Sequence, residues 1–261
     1  MTSDSDGDAI VVETVGRVGV VRLNRPAVGN ALTAAMFADL ERLVGELDAA
    51  KGIAAIVLTG TGDRTFCAGA DLAEFIPSLT SGTLRDVIPD PSKRVFSEVY
   101  TPIVAAINGA CIAGGMELLL GTDIRVAAEH ASFATPEPRL GLVGAGGTVS
   151  RLARQVPWCV AMEMLLAGAP MDAQRAFAVG LVNRVVAAEN VLAEAMRIAE
   201  VLAAAGPLAV RATKEIAVRG AGLETPFAIE AEIATGVFGT DDAVEGPRAF
   251  LARRPPNFTG T

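Results

Sequence analysis

An α/β fold with a mostly parallel sheet is predicted by three observations. Apolar strand-like runs alternate with segments of helical periodicity, glycine-rich turns join them, and about half the residues are hydrophobic while few are aromatic. Strands that alternate with helices need crossover connections, the mark of parallel pairing. At 261 residues the chain suits one large domain, or a main domain with an appendage, around a substantial core.

The elements follow in order. Residues 1–9, MTSDSDGDA, are acidic and polar, without the basic-then-apolar layout of a signal peptide, so a disordered lead and a cytoplasmic protein are expected. Residues 10–22 alternate valines with polar residues and glycine, which reads as a hairpin broken by Asn24-Arg25-Pro26. Over 32–50, Met36, Leu40, Leu43, Val44 and Leu47 recur at helical spacing, with Thr33 as N-cap and Lys51-Gly52 as the stop. A buried strand is expected over 53–60, another over 101–108, a helix from Gly114 to about Gly121, and a strand over 124–127. A tight turn at Gly144-Ala-Gly-Gly precedes a helix over 148–155. AMEMLLAG and a stretch from Asn190 to Ala205 are further helices. Gly206-Pro207 marks a break, after which helices of about 10 to 15 residues follow, one kinked or restarted at Pro247. Phe227, Ile229, Ile233 and Val237 recur near helical spacing and face either another subunit or the core. Trp158 is read as a packing residue, and Asp123 with Arg125 as a structural pair or solvated strand ends.

Several function classes are excluded. A net charge of −8 without a basic block argues against nucleic acid. No apolar run reaches the roughly 18 to 20 residues of a membrane span, so no membrane partner is expected. Cys67, Cys111 and Cys159 are odd in number and lack metal-ligand spacing, which suits reduced thiols and no metal site. The single histidine, His130, stands in a sequence with no G-x-S-x-G and reads as a surface or capping residue rather than a triad member. Gly144-Ala-Gly-Gly-Thr-Val lacks the Gly-Lys-Ser/Thr of a phosphate loop.

Glu117 and Glu137 are the candidate chemistry. Each is a carboxylate in apolar or glycine-rich sequence, where an unpaired charge is costly and tends to take up a proton. Phe66-Cys-Ala-Gly-Ala-Asp-Leu72 and Ala113-Gly114-Gly115 leave their backbones nearly bare, so their N–H groups can approach a ligand closely. From glycine spacing the two are either plain tight turns or a pair of donors to a developing oxyanion.

Taken together, LNRPAVGNAL (residues 23–32), FCAGADL (66–72), AINGACIAGGMELLLGTDIRVAAEHASFATPEPRLGL (106–142) and GTDDAVEGPRAFLARRPPNF (239–258) resemble the enoyl-CoA hydratase/isomerase (crotonase) superfamily nearly end to end. The resemblance implies a ClpP-like spiral of repeated ββα units over residues 10–195 and a helical C-terminal oligomerisation segment over 196–261, packed as a homotrimer or a hexamer of two trimers. It implies an oxyanion hole made by the N–H groups of Ala70 and Gly114. Backbone groups around Ala31, Ala68, Asp71 and Leu72 would hold the adenine end of coenzyme A. Glu117 would take a proton from water as it attacks C3 of a 2-enoyl thioester, and Glu137 would deliver one to C2. No cofactor is implied beyond the coenzyme A carried by the acyl-CoA substrate. Both glutamates are present, which favours a hydratase over an isomerase, a dehydratase of a functionalised acyl-CoA, or a non-catalytic acyl-CoA binder.

The chain departs from the family pattern at Ala27 and Ala73, where many relatives have basic residues near the CoA phosphates, and at Val143, where proline is common. Arg25, or Arg253 or Arg254 from a neighbouring subunit, are the candidates to replace the missing charge. Residues 75–99 mix prolines, polar and apolar residues and read as a loop or frayed helix, which the resemblance places at the wall of the acyl pocket.

Overall fold

A computed structural model describes residues 8–74 and 90–261. Residues 1–7 of the expected lead, and 75–89 of the expected loop, lie outside the described residues. Ala9 is already tied in, its carbonyl accepting the Asn24 amide at 2.8 Å.

Two sheets carry the spiral. Strands β1 (Ile10–Val15) and β2 (Val18–Leu23) form the expected hairpin, turning through Gly16 at φ +60. Strands β3 (Ala55–Gly60), β5 (Ile103–Ile107), β7 (Ile124–Ala128) and β10 (Arg184–Val186) extend it in the order β1-β2-β3-β5-β7-β10, every pairing beyond the hairpin being parallel. All residues of β3 and β5 are buried, as strands covered on both faces must be. A smaller sheet, β4-β6-β8-β9, joins β4 (Thr65–Cys67), β6 (Ala110–Ile112), β8 (Ser132–Ala134) and β9 (Met171–Asp172). The successive pairs β3 with β4, β5 with β6 and β7 with β8 each place one strand in each sheet, so the chain advances as a spiral. The short second strands were invisible to periodicity because two or three residues complete no repeat.

Helix α1 (Ala34–Ala49) starts where expected. Thr33 Oγ1 accepts the Met36 amide at 3.1 Å, and Met36, Leu40, Val44 and Leu47 form the buried stripe. Helix α2 (Gly114–Leu120) follows β6, and α3 (Thr148–Gln155) and α4 (Trp158–Ala167) follow the glycine turn. Helix α5 (Ala173–Ala178) is capped by Asp172, and α6 (Val191–Ala204) packs on β3 and β5. The border expected at residue 195 therefore falls within a helix of the core. Helices α7 (Pro207–Gly220), α8 (Glu224–Phe238) and α9 (Asp241–Leu251) complete the chain. Helix α9 runs through Pro247 instead of restarting there, forgoing one backbone bond.

Two expectations are corrected, and one left open between two environments proves divided. Trp158 is 67% exposed, because its turn precedes the buried stripe of α4, which begins at Ala161. Asp123 and Arg125 do not pair with each other. Asp123 binds Lys214 at 2.7 Å and the Ile103 amide, whereas buried Arg125 donates to the carbonyls of Thr122 and Leu181 and to Gln155. The stripe on α8 splits: Phe227 is buried in this chain while Ile229 and Ile233 are exposed.

Candidate active site

The two bare turns meet. Leu32 bridges to Ala70 by accepting from Asp71 N and donating to Gly69 O, both at 2.8 Å, and this register leaves the Ala70 N–H facing the opposite side. Gly69 reaches φ +102, a value that favours glycine, and carries the chain towards the start of α2. The Gly114 N–H opens α2, and a Cβ on Gly114 would lie 3.4 Å from Ala70 N. The approach depends on missing side chains: a Cβ on Gly115 would lie 2.5 Å from the Cys67 carbonyl. Neither amide bonds to a backbone or side-chain acceptor among the described residues, so two N–H donors are free to converge on one ligand atom, Gly114 adding the positive end of a helix.

Both glutamates face the same cleft. Glu117, in the first turn of α2, accepts the Gly146 amide at Oε1 over 2.8 Å. It is part-buried and lines the cleft. Burial raises its pKa, the Gly146 hydrogen bond pulls the other way, and the charge of Glu230 adds to the rise. Glu137 begins the 3-10 turn Glu137–Leu140, and its Oε2 is buried without a hydrogen-bond partner among the described residues. Burial, with a further push from Glu117, raises its pKa to about 7. A Cβ on Gly144 would lie 3.5 Å from Glu137 Oε1, and one on Gly146 would lie 2.1 Å from Glu117 Oε2. The glycine turn thus binds Glu117 and runs beside Glu137. Glu117 accepts the Gly146 N–H, which favours the anion, while Glu137 keeps one buried oxygen without a partner, which favours the acid.

A cavity of about 1060 Å3 connects these groups. Ala70, Gly114, Glu117 and Glu137 line it, and Ala31, Ala68, Asp71 and Leu72 do so as well, so eight of the predicted positions share one space. The Ala68 and Asp71 amides are spent within the turn, on Gly29 O and Leu32 O. Arg25 is not in the lining. Its Nη1 donates to Ala31 O at 2.8 Å and meets Asp71 Oδ2 at 3.1 Å, so it braces the turn from behind. Arg254 lines the cavity of its own chain, paired with Glu245. Lys93 and Arg139, which the sequence reading passed over, line it too.

The thiols are fillers. Burial pushes Cys67 up to about 12 and Cys111 well above the usual thiol range, so neither is a thiolate at neutral pH. His130 is exposed, with Nε2 2.8 Å from Asp63 O.

One part of the site was not foreseen. Arg94 and Glu230, both almost fully buried, meet at 3.3 Å behind the glycine turn. Glu230 also accepts the Gly147 and Ser150 amides at 2.7 and 2.9 Å, capping α3 from the distant α8. The available signal was a carboxylate three residues after Phe227 on an otherwise apolar helix face.

The spiral of paired sheets and the two carboxylates in a largely apolar cleft place the chain in the class of crotonase-fold enzymes. A family model described as Enoyl-CoA hydratase/isomerase matches residues 13–261, and the chain belongs to that family. Over 263 aligned residues it is 38% identical to enoyl-CoA hydratase EchA19 of Mycobacterium tuberculosis, covering 98% of each chain. It is 34% identical to crotonyl-CoA hydratase of Syntrophomonas wolfei, with 95% of this chain and 97% of the relative covered. Among solved structures, carnitinyl-CoA hydratase from Mycobacterium avium superposes with a TM-score of 0.88 at 32% identity, covering 98% of this chain and all of that one. Among the described residues no helix is long and apolar enough to cross a membrane.

Proposed function

We propose that the protein is a 2-enoyl-CoA hydratase, adding water reversibly and syn across the C2=C3 bond. The observation that carries this reading is the placement of Glu117 and Glu137 against one glycine turn, beside the free amides of Ala70 and Gly114. The thioester oxygen would accept from the two amides, which hold the enolate-like charge as it develops. Glu117, ionised, takes one proton from water as its oxygen bonds to C3. Glu137, protonated, gives its proton to C2, and the two carboxyls then exchange protons with solvent to reset. The chemistry is redox-neutral, so the reading requires no cofactor besides the CoA of the substrate. Ala31, Ala68, Asp71 and Leu72 would flank the adenine, and Lys93, Arg139 and Arg254 supply cations at the cavity for the phosphates. Assembly as a trimer or hexamer belongs to the same reading and is supported by exposed Leu208, Ile216, Ile229 and Ile233 on the C-terminal helices.

The test is loss of enoyl-thioester absorbance with crotonyl-CoA and a panel of longer and functionalised enoyl-CoAs. Glu117→Gln and Glu137→Gln are each expected to lower kcat by about 10² to 10⁴ with acyl-CoA binding retained. A wild-type protein that binds acyl-CoA and turns over no enoyl thioester overturns the reading. The similarity to carnitinyl-CoA hydratase favours one alternative, dehydration of a functionalised acyl-CoA, which the same panel run in reverse detects.

A further inference from the structure

The amide that holds Glu117 belongs to a peptide group gripped from its other end. Gly146 N–H donates to Glu117 Oε1 at 2.8 Å, while the carbonyl of that same peptide, Ala145 O, accepts Arg94 Nε at 2.7 Å. Arg94 is itself fixed on all sides. Its Nη2 donates to Phe227 O at 2.7 Å and its Nη1 to Pro91 O and Lys93 O, at 3.1 and 2.6 Å. Its guanidinium lies 5.1 Å from the Phe227 ring centroid, with Arg151 at 5.2 Å from the same ring. Glu230 closes the arrangement through Arg94 Nε and the Gly147 and Ser150 amides.

We propose that Arg94 and Glu230 are a positioning pair for the reaction, orienting the Glu117 carboxylate through the single peptide group between Ala145 and Gly146. The inference rests on Glu117 being the group that takes the proton of water. A glycine-rich turn has many accessible backbone conformations, and rotation of this one peptide would withdraw the N–H from Glu117. Arg94 pins the carbonyl end, and Glu230 pins both Arg94 and the next amide along the turn. Successive hydrogen bonds through a peptide group polarise one another in a low-dielectric interior, so the pair acts on the carboxylate without touching it. The pair lies in a buried ion pair whose hydrogen bonds are satisfied, which favours conformational definition over net stability.

The pair also places opposite charges near Glu117, which separates a positioning role from a structural one. Charged or titratable groups around Glu117 are Glu137 from the 3-10 turn, Arg94 from the segment before β5, Arg151 from α3, Glu230 from α8 and Cys67 from β4. Of the pair, Glu230 pushes the Glu117 pKa up and Arg94 pulls it down. Glu230→Gln is therefore expected to lower it and Arg94→Met to raise it.

The experiment follows the Glu117 side-chain carboxyl by NMR titration in protein labelled at glutamate Cδ, assigned by its loss in Glu117→Gln, together with steady-state kinetics. The expected result is opposite displacement of the titration in the two variants and a kcat lowered by about 10- to 100-fold, with KM within about threefold of wild type. Arg94→Lys, which keeps the charge but not the fork, is expected to leave the titration near wild type and still lower kcat. Glu117 titrating alike in wild type, Glu230→Gln and Arg94→Met, or an unchanged kcat in Glu230→Gln, overturns the proposal. Glu230→Gln preserves volume, so it carries the test alone if Arg94→Met does not fold. A wild type without turnover would refute the hydratase reading, while the titration would still judge the pair.

Discussion

Gly146 and Glu117 share a space that admits no further atom: the Gly146 amide donates to Oε1 at 2.8 Å, and a Cβ at position 146 would lie 2.1 Å from Oε2. Gly146→Ala must therefore displace the carboxylate or the turn. We expect kcat to fall by about 10² or more, since small misplacements of a reacting group carry costs of that size. Hydration of crotonyl-CoA, compared with affinity for a saturated acyl-CoA, measures it. Normal kcat in the alanine variant would mean that the turn has an alternative path.

The two carboxyls predict a bell-shaped dependence of kcat/KM on pH. Glu137 must be protonated, and its pKa of about 7 sets a fall in rate as pH rises through neutrality. Glu117 must be ionised, and burial places the acid limb above the usual carboxylate range. Glu137→Gln is expected to abolish the alkaline limb within whatever activity survives. A profile flat from pH 6 to 8.5 would count against this division of roles, with pH 6 and 8.5 chosen as about 1 to 1.5 units either side of neutrality.

Glu137 also makes a stability prediction of definite sign. Its folded pKa, about 7, lies above the ordinary glutamate value of 4.5, so its ionisation destabilises the fold progressively as pH rises between those two values. Below them both states are protonated and nothing is lost. Above them the cost levels off at about 3 kcal/mol, from 1.36 kcal/mol per pKa unit. Glu137→Gln should thus be more stable than wild type at pH 8, with the advantage vanishing near pH 4. Denaturant unfolding at the two pH values measures the difference, and equal stability at pH 8 would contradict it.

Helix α9 is docked tightly on the turn that carries Glu137. A Cβ on Gly246 would lie 1.9 Å from Leu140 O, and one on Gly141 would lie 2.5 Å from Asp242 O. Gly246→Ala is expected to loosen this contact and lower kcat by roughly 10-fold, through misplacement of Glu137 rather than removal of any reacting group. Retained activity with a lowered unfolding midpoint would instead show that α9 only stabilises the fold.

The glycines and carboxylates of the cleft were legible in the chain because their local context is unusual: bare turns after strands, and glutamates in apolar runs. Thr33 announced α1, and Gly114 announced α2. Arg25 was harder to place, because a basic residue beside such a turn has the same local appearance whether it faces the cleft or braces the turn through Asp71 and Ala31. Trp158 was misread because a large aromatic side chain does not by itself tell whether its helix turn reaches the core.

Order along the chain thus carries the alternation of strands and helices, the family, and the two candidate carboxyls, since each depends on residues near one another in sequence. Folding supplies what depends on distant partners. Arg94, Glu230 and Ala145 lie far apart in the chain, and only their burial around one peptide group, where solvent is absent and each polar atom must find a partner, connects the last helices to Glu117.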